Sequence, residues 1–161
     1  MTTVATLCYI IKSGKVLLIK KKKGFGAGVW NGPGGKASKN ESLQDCAKRG
    51  VYEKVSIVPE APWEVGELLF YFGGKPEWRI HVFVADEYDG IERETDEAVP
   101  KWFRLDRIQY DEMWLGDDVW MPLMIAGKKF RGTLFFDEEH KELISHEIVD
   151  LDTALPATKN N

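Results

Sequence analysis

The sequence predicts one domain of the α+β class, a mixed α+β sandwich in which strands are interrupted by a few helices. Three observations favour this class: apolar strand pairs joined by short turns, a helical stretch after a glycine-rich loop, and no repeat or linker that divides the chain. The 161 residues, 43% of them hydrophobic, suffice for one core. We therefore expect one domain over residues 1–152 and a polar, disordered tail over residues 153–161.

The first half of the chain predicts a hairpin, a shaped loop and a helix. Strands are predicted at Thr3–Ile11 and Lys15–Lys20, because both segments are β-branched and apolar and turn residues separate them. Lys21–Lys36 contains six glycines among sixteen residues, too many for a regular element. A helix is predicted over Asn40–Val55, since small and apolar residues recur there at helical spacing and Pro59 follows.

The second half predicts further strands separated by turns, an acidic loop and two short helices. In chain order these are strands at Glu64–Phe72 and Trp78–Ala85 joined by Gly73–Pro76, an acidic loop at Asp86–Val99, a strand at Lys101–Arg104, helices at Leu105–Met113 and Asp117–Ala126, and strands at Lys129–Phe136 and Glu142–Val149. Asp117 and Asp118 suit the unpaired amides of a helix N-terminus, so they are candidate caps.

Composition narrows the location and the partners of the protein. The net charge of −4 and the pI near 5.5 argue against a binder of nucleic-acid polymers, which needs a basic face. Cys8 and Cys46 lack CxxC spacing, so we expect buried free thiols in a reducing compartment. No secretion signal and no apolar run of about 20 residues is present. These observations favour a cytoplasmic protein without a membrane partner, and we expect a monomer.

A motif follows the glycine-rich loop. From Gly35 the sequence reads GKASKNESLQDCAKRGVYEKVSI, which resembles the signature of the Nudix hydrolases, G-x5-E-x7-R-E-U-x-E-E-x-G-U with U aliphatic. The positions in register are Gly35, Glu41, Arg49, Val51, Glu53 and Ile57. The resemblance implies the Nudix fold, in which a mixed β-sheet is sandwiched between α-helices. It also implies Mg²⁺ or Mn²⁺ held against a diphosphate, and catalytic roles for Glu41, Arg49 and Glu53.

Three positions depart from the signature. Gly50 and Lys54 replace glutamates, and Ser56 replaces a glycine. Carboxylates spaced three and four residues apart share one helix face and can bind a metal together, whereas the Lys54 ammonium repels a cation by about 1 kcal/mol in water and by more in a partly buried site. We therefore expect weakened metal binding and severely reduced catalysis. Ser56 would also strain a left-handed backbone that glycine permits.

A second resemblance spans most of Thr3–Asp152. The segments GFGAGVWNGPGGK, VGELLFYF, EMWLGDDVWMP and KKFRGTLFF resemble the Nudix branch that hydrolyses oxidised purine nucleoside triphosphates such as 8-oxo-dGTP. By resemblance, the base would be bound by Asn31, Asp117 and Asp118 at its edge, by Trp114 through stacking, and by Phe25 and Phe72, which complete an apolar slot. Lys21 and Lys36 would lie near the phosphates, and Glu97 would join Glu53 as a metal ligand.

Each of these residues also has a simpler interpretation. Trp114 suits a core aromatic, Arg49 a surface ion pair, and Glu41 and Glu53 solvated helix carboxylates. His81, His140 and His146 show no ligand spacing and are expected to be structural or exposed.

Three functions stay open at this point. The first is a Nudix pyrophosphohydrolase that releases a purine monophosphate and pyrophosphate for nucleotide pool sanitation, with reduced activity. The second is a purine-nucleotide-binding or scaffold protein without hydrolysis. The third is an enzyme with a rearranged metal set of Glu53, Glu97 and Glu41.

Overall fold

One large sheet organises the fold in the computed structural model, which describes residues 2–152. The strands are β1 (Thr3–Lys12), β2 (Lys15–Lys21), β3 (Trp30–Asn31), β4 (Gly34–Lys36), β5 (Val58–Pro59), β6 (Trp63–Phe72), β7 (Lys75–Ala85), β8 (Tyr88–Asp89), β9 (Ala98–Arg104), β10 (Phe130–Phe136) and β11 (Leu143–Asp150). The helices are α1 (Leu43–Val55) and α2 (Asp117–Ile125).

The sheet is mixed, as predicted. Its order is β11-β10-β6-β7-β1-β2-β3, with β4 also paired to β1 and β9 to β2. The β1–β7 and β6–β10 pairs are parallel, and the other pairs are antiparallel. Strands β5 and β8 form a separate small pair. The parallel pairs bring distant parts of the chain together, so that β1, β6 and β7 become neighbours at the centre.

The two faces of the sheet bury two apolar clusters. Alternation along β1 sends Cys8 and Ile10 to the cluster with the α1 residues Ala47 and Val51, while Tyr9 joins the opposite cluster. The opposite cluster includes α2 residues such as Trp120, whose ring lies 5.7 Å from that of Tyr9. Burial of each large side chain contributes about 1.5–3 kcal/mol, so both helices are held on the sheet by apolar contact.

Helix α1 begins and ends close to the predicted positions. Ser42 caps it by accepting a hydrogen bond from the backbone N–H of Asp45, and it ends at Ser56. Ser56 has a φ of 70°, so a serine occupies the left-handed conformation expected from the motif. Gly50 lies against β4, and a Cβ atom there would be 2.6 Å from the carbonyl carbon of Gly34. The absence of a side chain therefore sets the close packing of α1 on β4.

Several predictions of local structure were wrong. The segments predicted as loops, Lys21–Lys36 and Asp86–Val99, contain the short strands β3, β4 and β8 and the start of β9. Leu105–Met113 is not a helix but two 3-10 turns, Leu105–Arg107 and Tyr110–Glu112, because extended backbone at Ile108 interrupts it. Asp117 and Asp118 do not cap α2: its N-cap is Gly116, which has a φ of 97° and provides no side chain.

Another wrong prediction concerns the turn between β6 and β7. It contains only Gly73 and Gly74, because β7 begins at Lys75, before the apolar pattern that starts at Trp78, whereas β6 ends at Phe72 as predicted. A two-residue turn matches the twist of paired strands when glycines supply positive φ angles, and both glycines have them here.

The remaining sequence predictions concern the cysteines, the membrane and the termini. Cys8 and Cys46 are buried and free, as expected. No helix within residues 2–152 is long and apolar enough to cross a membrane. The predicted tail at residues 153–161 lies outside the described residues, and the 1–152 domain boundary stays a prediction.

Candidate functional site: a cleft between the central strands and the glycine-rich loop

A cleft of about 400 Å³ opens between the central strands and the glycine-rich loop. This volume lies in the range of small-molecule sites. Its lining includes Thr6, Leu7, Tyr9, Lys21, Phe25, Asn31, Lys36, Lys54, Ile80, Trp78, Trp114 and Asp117. Residues from β1, the end of β2, the loop, β7 and the start of α2 therefore meet at one place, although they are far apart in the sequence.

Aromatic rings form one end of the cleft. The ring of Phe25 lies 4.7 Å from that of Trp114 and stacks on Trp78 at 5.3 Å with an interplanar angle of 15°. Phe72 is 6.0 Å from Phe25, packs against His140 at 3.5 Å, and lines a neighbouring cavity instead of the main cleft. The resemblance implied that Phe72 is a wall of the cleft. In the structure Phe72 instead packs against Phe25 and does not line the main cleft.

Several polar atoms at this end lack partners. Four buried atoms of cleft residues, Tyr9 Oη, Asn31 Oδ1, Trp114 Nε1 and Asp117 Oδ2, have no well-formed hydrogen bond within the described part of the chain. Trp120 Nε1, outside the cleft lining, is also unpaired, but it lies close enough to Asp117 to lower the pKa of that carboxyl, against the larger effect of burial. An unpaired buried polar group costs about 1–3 kcal/mol, so a cluster of four is unusual for packing alone. This end of the cleft can therefore accept a flat ligand that carries both hydrogen-bond donors and acceptors.

The two adjacent aspartates have different environments. Asp117 is buried in the cleft, and burial raises its pKa well above its ordinary value, with the charge of Asp118 adding to the shift. Burial therefore favours the neutral carboxyl, which can donate a hydrogen bond as well as accept one. Asp118 is exposed and does not line the cleft. Of the two aspartates expected to face a bound base, only Asp117 lines the cleft.

The predicted catalytic residues Glu41, Arg49 and Glu53, which lie on α1 and just before it, form an ionic network. Arg49 donates to both carboxylate oxygens of Glu41, at 2.7 and 3.0 Å, and to Glu53 at 3.0 Å. It also donates to the backbone oxygen of Lys36 at 2.8 Å. The hydrogen bonds from Arg49 lower the pKa of Glu41. This network fixes the loop before α1 against the helix, but it turns Glu41 and Glu53 toward Arg49 and away from the cleft lining.

Lysines form the other end of the cleft. Lys54 is nearly buried, donates to the carbonyl oxygen of Gly34 at 3.0 Å and lies 3.5 Å from a carboxylate oxygen of Glu97. Lys21 donates to the backbone oxygen of Phe25 at 2.6 Å. Burial lowers the pKa of Lys21, and the nearby charge of Lys54 lowers it further. Lys36 also lines the cleft, and its ammonium lies 5.7 Å from the centre of the Trp78 ring, so the three ammonium groups extend from Lys54 toward the aromatic rings.

Comparison with known proteins decides the family. The model of the NUDIX domain matches residues 1–124. This chain belongs to the Nudix family. The Oxidized purine nucleoside triphosphate hydrolase of Danio rerio is 37% identical to it over 148 residues, which are 91% of this chain and 94% of that protein. The protein of that name from Mus musculus is 38% identical over 149 residues, 92% of this chain and 95% of that protein.

A solved structure supports the same assignment of the Nudix fold. The crystal structure of a MutT protein from Bacillus halodurans matches the Nudix chain with a TM-score of 0.81 and 26% identity. The match covers 91% of this chain and 97% of that one. Both the fold and the family named from the resemblance are therefore confirmed.

The Nudix box of this chain does not fit a divalent metal. Within residues 2–152, no three His, Cys, Asp or Glu side chains come together as a metal-binding group. Glu53 is paired with Arg49, and Glu97 is paired with the Lys54 ammonium. Mg²⁺ needs several converging oxygen ligands, whereas the helix offers the cleft an amine. The expected ligand pair of Glu53 and Glu97, with or without Glu41, is therefore not assembled in this structure.

Sequence reasoning missed several cleft residues of the Nudix chain. Tyr9 and Trp78 lie in apolar strands, where alternation predicts burial but not the partner of a hydroxyl or a ring. His140 does not line the main cleft, and its packing on Phe72 from the turn between β10 and β11 agrees with the expectation that it is structural. Lys54 was identified as a defect in metal binding, and no signal in the sequence indicated that its amine reaches the cleft through a contact with Gly34.

Proposed function

We propose that this chain binds purine nucleoside triphosphates of the oxidised type, such as 8-oxo-dGTP, and that hydrolysis to the monophosphate and pyrophosphate is severely reduced. The observation that carries the proposal is the group of buried, unpartnered polar atoms at the aromatic end of the cleft. A purine with an altered edge supplies donors and acceptors to such a group, and its flat rings suit aromatic walls.

The base is assigned to the aromatic end. Trp114 and Phe25 provide the stacking surfaces, and Asn31 provides an amide that can accept and donate at the purine edge. Neutral Asp117 reads the opposite edge, because a protonated carboxyl can both donate and accept. The names of the two animal relatives, which refer to oxidised purine nucleoside triphosphates, support this substrate class. Asp118 is left outside the binding set.

The triphosphate is assigned to the lysine end. Lys21, Lys36 and Lys54 line the cleft there, and their charges attract phosphate oxygens. A nucleotide laid across the cleft would then place its base against Trp114 and its phosphates beside α1. This orientation agrees with the sequence, because Lys36 and Lys54 both lie within the Nudix box, which begins at Gly35.

Reduced hydrolysis follows from the chemistry of the box. In Nudix hydrolases Mg²⁺ or Mn²⁺ neutralises the phosphate chain and helps to activate water. Here Gly50 and Lys54 remove two carboxylates, Glu53 pairs with Arg49, and Glu97 pairs with Lys54. We propose that the affinity of Glu53 and Glu97 for metal is too low for stable occupancy, and that turnover is correspondingly slow.

A second candidate function is nucleotide binding without any hydrolysis, in a binding or scaffold protein. The observation that favours it is the Lys54–Glu97 ion pair, which fills the expected metal position with a charge of the wrong sign. For both candidate functions, we propose that the protein is a cytoplasmic monomer. The two buried free thiols support a reducing compartment.

Magnesium-dependent release of pyrophosphate from 8-oxo-dGTP tests the proposal. We expect slow or undetectable turnover by the unmodified chain and a gain of at least ~100-fold in the triple variant Gly50→Glu, Lys54→Glu and Ser56→Gly, because metal-assisted charge stabilisation contributes several kcal/mol. The double variant Lys54→Glu and Ser56→Gly is the matched comparison, since it avoids the close contact of residue 50 with Gly34. If both variants fold and neither hydrolyses any oxidised purine triphosphate, the substrate assignment is wrong.

A further inference from the structure

Helix α1 presents only one charged side chain to the cleft, and that side chain is a cation. Lys54 lines the cleft, while Glu53 and Arg49 bind one another at 3.0 Å outside its lining. The residue that lines the cavity therefore carries the same sign of charge as the metal ion that carboxylates at these positions would bind.

Lys54 is held in position by one side-chain hydrogen bond and one backbone hydrogen bond. Its ammonium donates to the carbonyl oxygen of Gly34, and its backbone oxygen accepts a hydrogen bond of 2.7 Å from the Thr95 hydroxyl. Gly50 allows α1 to lie close enough to Gly34 for the first of these bonds, since a Cβ at residue 50 would be 2.6 Å from the Gly34 carbonyl carbon. The residues at positions 50 and 54 therefore act together. Gly50 permits the close approach of α1 to Gly34, and Lys54 forms the hydrogen bond that this approach allows.

The Lys54 ammonium keeps capacity for a further acceptor. An ammonium has three N–H donors, and the Gly34 carbonyl takes one. The Glu97 carboxylate, at 3.5 Å, is at ion-pair distance and outside the range of a strong charge-assisted hydrogen bond. An oxygen entering the cleft can therefore bind Lys54 directly.

The charge balance at this end of the cleft favours an anion. Lys21, Lys36 and Lys54 line the cavity, and Glu97 is the carboxylate that pairs with Lys54. Burial and the charge of Lys54 both lower the pKa of Lys21, which indicates that the two amines are close enough to repel one another. A bound polyphosphate relieves this repulsion, whereas a divalent cation increases it.

We infer that the Lys54 ammonium takes the place of a divalent cation and binds the nucleotide's phosphate oxygens directly, so that polyphosphate binding is independent of metal. The identity of the nucleotide rests on the proposed function, but the anion chemistry does not. Inorganic triphosphate, which has no base, is accordingly a ligand for the same end of the cleft.

Calorimetric titration of the full chain tests this inference with three probes: inorganic triphosphate, 8-oxo-dGTP and the nucleoside 8-oxo-2′-deoxyguanosine. Each is titrated in excess EDTA and in excess MgCl₂, into the unmodified protein and into Lys54→Met, Lys54→Arg and Lys39→Met. Lys54→Arg retains a cation, and Lys39→Met removes an exposed lysine that does not line the cleft. Circular dichroism melts show whether each variant is folded.

We expect both phosphorylated probes to bind the unmodified protein in EDTA at least as tightly as in MgCl₂. Lys54→Met should weaken their binding about tenfold or more, which corresponds to about 1.4 kcal/mol. Lys54→Arg should stay within a few-fold of the unmodified protein, Lys39→Met should have no effect, and the nucleoside should bind every folded variant equally. If Lys54→Met does not fold, retained binding by Lys54→Arg in EDTA supports the inference and its loss contradicts it.

The probes separate failure of the inference from failure of the proposed function. A tenfold or larger gain in triphosphate affinity on adding MgCl₂, or unchanged affinity in folded Lys54→Met, would overturn the role of Lys54 and leave the purine assignment intact. Lys54-dependent binding of inorganic triphosphate without binding of the nucleoside would support the anion site and count against the purine slot.

Discussion

The two ends of the cleft differ in how their polar groups are satisfied. At the aromatic end, Asn31, Trp114 and Asp117 hold buried polar atoms without partners in the described chain. At the lysine end, Lys54 is bound to Gly34 and Glu97, and Arg49 binds both nearby glutamates. Orphaned groups indicate a ligand, whereas a satisfied network can stand alone. In the proposed function, the aromatic end binds the base, and internal ion pairs stand where metal-binding carboxylates would be expected.

The largest effect is expected from removal of the stacking ring. Trp114→Ala should weaken 8-oxo-dGTP binding by about 5- to 150-fold, because stacking of a base on an aromatic side chain contributes about 1–3 kcal/mol. Trp63→Ala is the matched control, since Trp63 is half exposed and lies outside the cleft. Calorimetry measures both variants, and equal affinities in the two would place the base elsewhere.

Gly50→Ala should destabilise the protein by about 1–3 kcal/mol, as expected for overpacking. This reverses the usual sign, because alanine in place of glycine normally stabilises a helix interior by about 1 kcal/mol. The reason is the backbone of Gly34, which a new Cβ would approach to 2.6 Å. Urea unfolding measures the change, with Lys48→Ala on the same helix as a control. A stabilised Gly50→Ala variant would show that α1 is not held close to β4.

Asp117→Asn should change how stability depends on pH. The folded-state pKa of Asp117 is raised, so the native protein retains a proton that the unfolded chain has lost at pH values above the ordinary pKa. Stability therefore falls as pH rises from about the ordinary value, 3.8, until the folded pKa is passed. Asparagine cannot ionise, so the variant should gain stability relative to the unmodified protein across that window and match it below.

The neighbouring aspartate provides the control for this prediction. Asp118 is exposed, and Asp118→Asn should give almost the same pH profile as the unmodified protein. Thermal melts across the pH range compare the three proteins. Parallel profiles for Asp117→Asn and the unmodified chain would mean that the Asp117 carboxyl is not kept neutral by burial.

The smallest effect is expected at the end of α1. Ser56 has a φ of 70°, and relief of this strain in Ser56→Gly should stabilise the protein by about 1 kcal/mol, or about 2–4 °C in Tm. Ser38→Gly, in the loop before the helix and without a positive φ, should not stabilise it. Scanning calorimetry is sufficient, and equal shifts in the two variants would remove strain at Ser56 as an explanation.

Short sequence patterns predicted the secondary-structure elements well where those elements depend on neighbouring residues. The hairpin of β1 and β2 and the ends of α1 followed from turn residues, apolar spacing and the Ser42 cap. The parallel pairing of β6 with β10 links residues more than sixty positions apart, and no short pattern encodes it. The helix predicted at Leu105–Met113 was wrong because extended backbone at Ile108 divides the segment.

The residues of the site were also predictable only in part. Family resemblance directed attention to Asn31, Trp114 and Asp117, which the fold brings into one cleft. It could not separate Asp117 from Asp118, since the direction of each side chain depends on the left-handed Gly116 before α2. It also could not reveal the Lys54–Gly34 contact, which exists because Gly50 lets two backbones approach.

The most direct test is a crystal of the unmodified protein grown with 8-oxo-dGTP and MnCl₂, analysed by anomalous diffraction at the manganese edge. The account predicts a purine stacked against Trp114, phosphate oxygens within hydrogen-bond distance of Lys54 Nζ, and no anomalous peak beside Glu53 or Glu97. A manganese ion coordinated by Glu53 and Glu97, with Lys54 displaced from Gly34, would contradict it.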